Sequence, residues 1–319
     1  MFLSIAVRRV LLVVASLGVC VAGAVGMEMF ASYRVRQTAW NIRGYRGRML
    51  GRKAPNGVRV FAIGGSTTYG YTVDRDETYP AQLETLLNEW SGSTRPISVA
   101  NLGHLSDSSV CYEPTYRDYR YLDADIVILY EGYNDVEGPS RRTERDCYQQ
   151  GSLIFKWTGF FPIAPLFLRE HWYKLRYGSI TQGYEVARET QVAARAAAAA
   201  GQRPTPAYEN YERNVLNFVR SRLDEGKGVV FASQPYLGNP VHLDQQTRIR
   251  AALAPFSSNR RFRYRDFMYL FGGKWDAAWF NELMWLNPRG NKVLAEKFSE
   301  PVRELIETMA GDAPPAGPR

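Results

Sequence analysis

The chain has 319 residues, 45% of them hydrophobic and 13% aromatic, which is enough apolar material for a substantial core and too much for a disordered protein. Its formal charge of +8 invites a nucleic-acid or acidic-lipid partner. Of 40 basic and 32 acidic residues, however, nine basic and one acidic lie within residues 1–53, leaving 31 of each sign in a neutral globular part; with no reader motif either, we expect no nucleic-acid partner.

Between Arg9 and Glu28 runs the uncharged stretch Val10–Met27, which as a helix extends about 27 Å, just long enough to span a bilayer. We read residues 1–33 as a membrane anchor. The rival is a cleaved signal peptide, for which Ala22-Gly23-Ala24 offers small residues at a suitable spacing. A lipoprotein reading at Cys20 is weaker, because Val19 stands where a small residue belongs. Residues 34–56 form a basic juxtamembrane linker, with Trp40 and Tyr45 at the headgroups and the arginines on phosphates, or simply in solvent. By the positive-inside tendency these arginines would hold the globular part in the cytoplasm, so orientation stays open.

Residues 57–310 read as one α/β domain. Val58–Gly64 is a buried strand that breaks at Gly64-Gly65-Ser66-Thr67-Thr68, presenting Ser66 at a carboxyl end, where open α/β sheets place their ligands. Glu77–Trp90 follows with Leu83, Leu86, Leu87 and Trp90 at helical spacing. Ile97–Asn101 is a second strand, leading to Leu102-Gly103-His104, and Ile126–Tyr130 is a third, leading to Glu131-Gly132-Tyr133-Asn134-Asp135. Residues 151–205 interrupt the alternation with an aromatic, proline-broken insertion, read as a lid, a membrane-facing element or a helix pair packing on the domain's own core. Within it, Ala193–Ala200 has high helix propensity without an apolar stripe. The alternation resumes with a helix over Asn210–Leu223 and the strand in VVFASQP, then a short strand at Phe262–Tyr264, a closing helix over Pro288–Met309 and a disordered tail, 311–319.

The segment RVFAIGGSTTYG, the glycine of VANLGH, the run GYND and the closing LNPRGNKVLAEKF resemble, in that order, the successive blocks of the SGNH/GDSL hydrolases, over roughly Asn41–Ile306. The resemblance implies a three-layer α/β/α sandwich of flavodoxin-like order with a parallel sheet of about five strands. It also implies ester hydrolysis or acyl transfer on an acylated glycan or lipid. In the family the first-block serine attacks an acyl carbonyl, and its own amide, the second-block glycine amide and the third-block asparagine hold the oxyanion. Carried over, these are Ser66, Gly103 and Asn134, with Asp135 bracing the asparagine loop. No cofactor or metal is implied.

The last block departs from the family pattern. Where members carry Asp-x-x-His, this chain reads Glu282-Leu283-Met284-Trp285, so Trp285 stands in the place of the histidine and Glu282 in that of the aspartate. An indole nitrogen donates and does not accept protons. Loss of the base from a serine triad costs about a millionfold in turnover. A working Ser66 therefore needs another base: His104 after the oxyanion glycine, His242 after the fourth strand, Glu282 itself, or His171 in the insertion. The other outcome is a pseudoenzyme that binds an acylated or glycan ligand in the inherited cleft. Cys111 and Cys147 follow the second and third strands and lie on one edge of the sheet, so an exported domain would let them pair. We expect a single-pass membrane protein with that domain exported.

Overall fold

The computed structural model describes residues 5–34, 40–92, 95–136, 147, 152–180, 182–183, 186–187, 189–190 and 207–312. The alanine run and residues 313–319 of the tail lie outside the described residues.

Five strands, β1 Val58–Gly64, β2 Ile97–Gly103, β3 Ile126–Tyr130, β4 Gly228–Ala232 and β5 Phe262–Arg265, form one parallel sheet in the order β2-β1-β3-β4-β5. Their sequences are continuous apolar runs because both faces are covered. Val60 and Ala62 point to one side, into a core with α3 (Tyr79–Ser91) and α10 (Pro288–Gly311). Phe61 and Ile63 point to the other, against α4 (Tyr112–Asp118), α8 (Ala207–Asp224) and α9 (Pro240–Leu253). Each strand foreseen from the sequence is present, the fifth included, and the architecture is the expected three-layer sandwich. The order 2-1-3-4-5 reverses direction between β1 and β3, and the crevice beyond those two carboxyl ends is where such sheets bind ligands.

Two further strands, β6 Phe280–Glu282 and β7 Trp285–Leu286, make a small antiparallel hairpin just before α10. Asn287 caps α10 by accepting from Gly290 N at 2.9 Å, and Asn291 Oδ1 accepts from Tyr79 N at 3.0 Å. The cap fixes where the hairpin ends, and the second bond ties α10 to the start of α3.

At the amino end, α1 (Ile5–Arg34) has a span of 25 residues, Val7–Ala31, long and apolar enough to cross a membrane; it is exposed from Val7 to Met27, and Ala31 at its end is buried in the domain core. Of the segment read as a linker, 34–56, residues 35–39 lie outside the described residues, and several side chains between residues 40 and 53 pack on the domain where headgroup contact or solvent was expected. Trp40 and Tyr45 are 4% and 1% exposed, packed with Tyr69 and Tyr119, and Arg46 is equally buried. Arg48 pairs with Glu84, and Lys53 with Asp123 and Asp125. These charges and aromatics belong to the domain, because the fold supplies acceptors for the cations and a core for the rings. The insertion contributes α6 (Leu153–Thr158) and α7 (Ala164–Tyr177), and Phe155, Ile163 and Leu166 join the domain core. Cys111 and Cys147 are joined, as foreseen, with Cα atoms 5.5 Å apart.

Candidate active site

Strand register assembles the site. Gly64 of β1 is aligned with Gly103 of β2 and with Tyr130 of β3, so the loops that begin at Gly65, His104 and Glu131 leave the sheet side by side. Ser66 opens a single helical turn, α2 (Ser66–Tyr69), and is 9% exposed. The residues behind it lock this turn to its neighbours. Thr67 Oγ1 accepts from Gln234 Nε2 at 2.9 Å, at the end of β4, and Thr68 Oγ1 donates to Tyr130 O at 3.2 Å.

Two glycines are there for close approach rather than for a turn. A Cβ on Gly103 would collide with the backbone of Thr68 and Tyr69, and one on Gly65 would collide with Glu131 Oε2 and Asn134 Nδ2. The second collision places the Asn134 amide beside the Gly65–Ser66 peptide. Ser66, Gly103 and Asn134 thus come together. Asp135 accepts from both the amide and the hydroxyl of Ser109, at 2.9 and 2.6 Å, joining the third-strand loop to the second-strand loop.

Around the serine hydroxyl the geometry runs against activation. Trp285 Nε1 donates to Ser66 Oγ at 3.0 Å, with the indole resting on the Tyr71 ring at a centroid distance of 4.6 Å. Asn281 Nδ2 donates to Thr72 O at 3.2 Å, holding the hairpin against the same turn. Among the described residues no side chain accepts a hydrogen bond from Ser66 Oγ. Gly103 N donates to Asn101 Oδ1 at 3.1 Å, and Asn134 Nδ2 donates to Asp107 O at 2.6 Å. Gly103 has one N–H and has committed it. Asn134 keeps a second.

The alternative bases lie in other settings. His104 is fully buried and its Nε2 donates to Gly44 O at 3.0 Å, since a carbonyl can only accept; burial holds its pKa down to about 4. His242, in the first turn of α9, stacks on Tyr133 at 3.8 Å and is likewise held down to about 4 by burial. His171 lies exposed on α7 with Nδ1 at 2.9 Å from Phe167 O. Glu282 is exposed on β6, paired across the hairpin with Trp285.

Two residues that carry no motif complete the site. Arg46 donates to Tyr69 O, Gly70 O and Val73 O at 2.8, 2.6 and 2.6 Å, so a buried guanidinium collects carbonyls at and just after the end of the Ser66 turn. Glu131 is buried with Oε1 accepting from Gly132 N and Asn134 N at 3.0 and 3.3 Å, and with Oε2 against Gly65. Burial pushes its carboxyl up to about 8, so at neutral pH it is mostly protonated. The sequence around Arg46, Arg43-Gly44-Tyr45-Arg46-Gly47-Arg48, does not set it apart from the exposed Arg43 and Arg48, and only the adjacent Tyr45 hints at burial. For Glu131 the sequence signal was an acid at the end of an otherwise apolar strand.

No protein-family model matches the chain, and no curated protein does. Solved structures similar to it include Axe2, an acetylxylan esterase from Geobacillus stearothermophilus, at 15% identity over 79% of this chain and 96% of that one, TM-score 0.47. A member of the lipolytic protein G-D-S-L family from Veillonella parvula is 13% identical over 76% and 97%, TM-score 0.43. LAE5, an alpha/beta hydrolase enzyme from a lake metagenome in Spain, is 14% identical over 83% and 99%, TM-score 0.48. Strand order and register by themselves establish a doubly wound α/β sandwich of order 2-1-3-4-5 with three loops converging at the carboxyl ends of β1, β2 and β3.

Proposed function

We propose that this chain is a membrane-anchored SGNH-type protein with a silenced serine, which binds an acyl ester of a glycan or lipid in the inherited cleft without turning it over at an enzyme's rate. The observation that carries this reading is the bond from Trp285 Nε1 to Ser66 Oγ. A donor on Oγ occupies the lone pair that would attack and removes no proton, whereas a triad histidine would take one. The commitment of Gly103 N to Asn101 supports the reading, since one missing oxyanion donor typically costs about 2.7–4 kcal/mol in the transition state.

The anchor is α1, uncharged and exposed from Val10 to Met27. The Cys111–Cys147 bond supports export, because disulfides persist in oxidising compartments. The cations that follow α1 have a folding reason to be there apart from topology, as Arg46, Arg48 and Lys53 show.

The test is exposure of the purified full-length protein to an activated fluorophosphonate, followed by mass spectrometry of the Ser66 peptide. We expect no labelling, together with a thermal shift on adding an O-acetylated oligosaccharide or a short-chain acyl lipid that Asn134→Ala removes. Labelling of Ser66 would instead support a second reading, an esterase or acyltransferase with Ser66 as nucleophile. That reading is favoured by the convergence of Ser66, Gly103 and Asn134 at adjacent strand ends.

A further inference from the structure

α6 and α7 of the insertion carry apolar side chains on the faces turned away from the protein. On α7, Leu168, Trp172 and Leu175 are exposed, and at 100° per residue they fall within about 60° of one another. The opposite side of the same helix carries Leu166, which is buried, and Tyr173 and Tyr177, which are half-buried. The stripe is therefore an outer face and not a core face that the fold has left uncovered. On α6, Leu153, Ile154 and Trp157 repeat the pattern, with Trp157 88% exposed. Exposed cations, Lys156, Lys174 and Arg176, border these residues.

What stands next to this surface says what covers it. Both oxygens of Glu28, in the last turns of the apolar span of α1, accept from the amino end of α7: Oε1 from Ile163 N at 2.7 Å and Oε2 from Ala164 N at 2.9 Å. Phe30 packs edge-on against Phe167 at 5.8 Å. A carboxylate at the end of a membrane span needs donors, and a helix amino terminus offers them. The same bonds fix the start of α7 at the depth where α1 leaves the hydrocarbon. A helix held there, with leucines and a tryptophan on one side and lysine and arginine beside them, has the composition of one lying in the interface plane.

We infer that α6 and α7 are an interfacial membrane element: Leu153, Ile154, Trp157, Leu168, Trp172 and Leu175 enter the boundary of an anionic bilayer while the neighbouring cations meet its headgroups. The inference rests on the reading of α1 as a span. It makes the attachment of the domain to the membrane two-point, a transmembrane helix plus an inserted helix pair, and so fixes how the domain sits on the surface.

The test uses the full-length protein reconstituted at high lipid-to-protein ratio in phosphatidylcholine–phosphatidylglycerol vesicles whose acyl chains are brominated. Quenching of tryptophan fluorescence is compared between the native chain and the W157F/W172F variant, both substitutions lying at exposed positions that leave the fold intact. We expect the lipid-quenched part of the emission to fall by more than half in the variant. Equal quenching in the two proteins overturns the inference, as does a stripe covered by a second copy, seen as crosslinking between Lys174 side chains together with absent quenching. Resistance of the same vesicles to alkaline carbonate extraction reports on α1 separately. Retained protein with unchanged quenching would sink the interfacial element alone, and extracted protein would sink the anchor.

Discussion

Trp285 Nε1 donates a hydrogen bond to Ser66 Oγ across 3.0 Å, between residues 219 positions apart in the chain. The indole holds the place from which a base would act, and it presents the wrong end of a hydrogen bond. Removing the donor is not enough to restore chemistry, because a base must replace it. Trp285→Phe is therefore expected to leave Ser66 unreactive toward fluorophosphonate. Trp285→His combined with Glu282→Asp is expected to label Ser66 and to raise hydrolysis of a p-nitrophenyl acetate by about 10²–10⁴-fold over the native chain. A double variant as inert as the parent, in protein of unchanged circular dichroism, counts against an inherited site.

Arg46 should matter more for stability than its sequence position suggests. Its guanidinium bonds three carbonyls of the turn after Ser66 and covers the Tyr69 ring at 4.4 Å. Hydrogen bonds to a charged group contribute about 1.5–3 kcal/mol, and the acceptors left behind are buried. Arg46→Ala is expected to lower the urea unfolding free energy by about 3 kcal/mol or more. Arg46→Lys should recover part of it, because one ammonium reaches fewer of the three carbonyls. A change under 1 kcal/mol for the alanine variant would show that the turn holds itself.

The strands and the loops at their ends were legible in the sequence because both signals are local: a continuous apolar run, then a glycine where backbones must pass close. Ser66, Gly103 and Asn134 could be named from short blocks for the same reason. The replacement at Trp285 could be seen by position and its donor character by chemistry, but its partner could not, since the bond to Ser66 joins residues 219 positions apart. Residues 40–53 were misread because arginines and aromatics after an apolar helix look alike whether they meet lipid headgroups or a folded neighbour. Only the acceptors decide, and these come from α2 and α3 and from the turn before β3. The outward stripe of α7 was blurred by the charges and prolines mixed into it.

The disulfide closes a loop of 36 residues between Cys111 and Cys147, and the chain-entropy relation gives about 4 kcal/mol for a loop of that size. Reduction, or the pair Cys111→Ser and Cys147→Ser, is expected to lower stability by up to that amount in urea titrations followed by circular dichroism. Alkylation of cells before lysis tests compartment separately. Protection of both cysteines until a reductant is added is the expected result. Free thiols at both positions would place the domain in a reducing compartment.

Glu131, His104 and His242 together predict the shape of the pH–stability curve. Each histidine is held near 4 in the folded protein, below the ordinary imidazole range, so its contribution is present above about 6.5 and is lost as pH falls from there toward 4. Glu131 has the opposite sign. Its folded carboxyl is raised to about 8, so its contribution is full below the ordinary carboxyl range and is lost as pH climbs toward 8. From these three groups, stability rises between about pH 4.5 and 6.5, where two histidines outweigh one acid, and falls between about 6.5 and 8, where Glu131 acts alone. Glu131→Gln keeps a neutral group on Gly132 N and Asn134 N and has nothing to ionise. It is expected to flatten the alkaline limb and to steepen the acid limb, where the two histidines then act unopposed, as read from urea midpoints at half-unit steps of pH. An alkaline limb that persists in the glutamine variant would mean that another buried acid sets it.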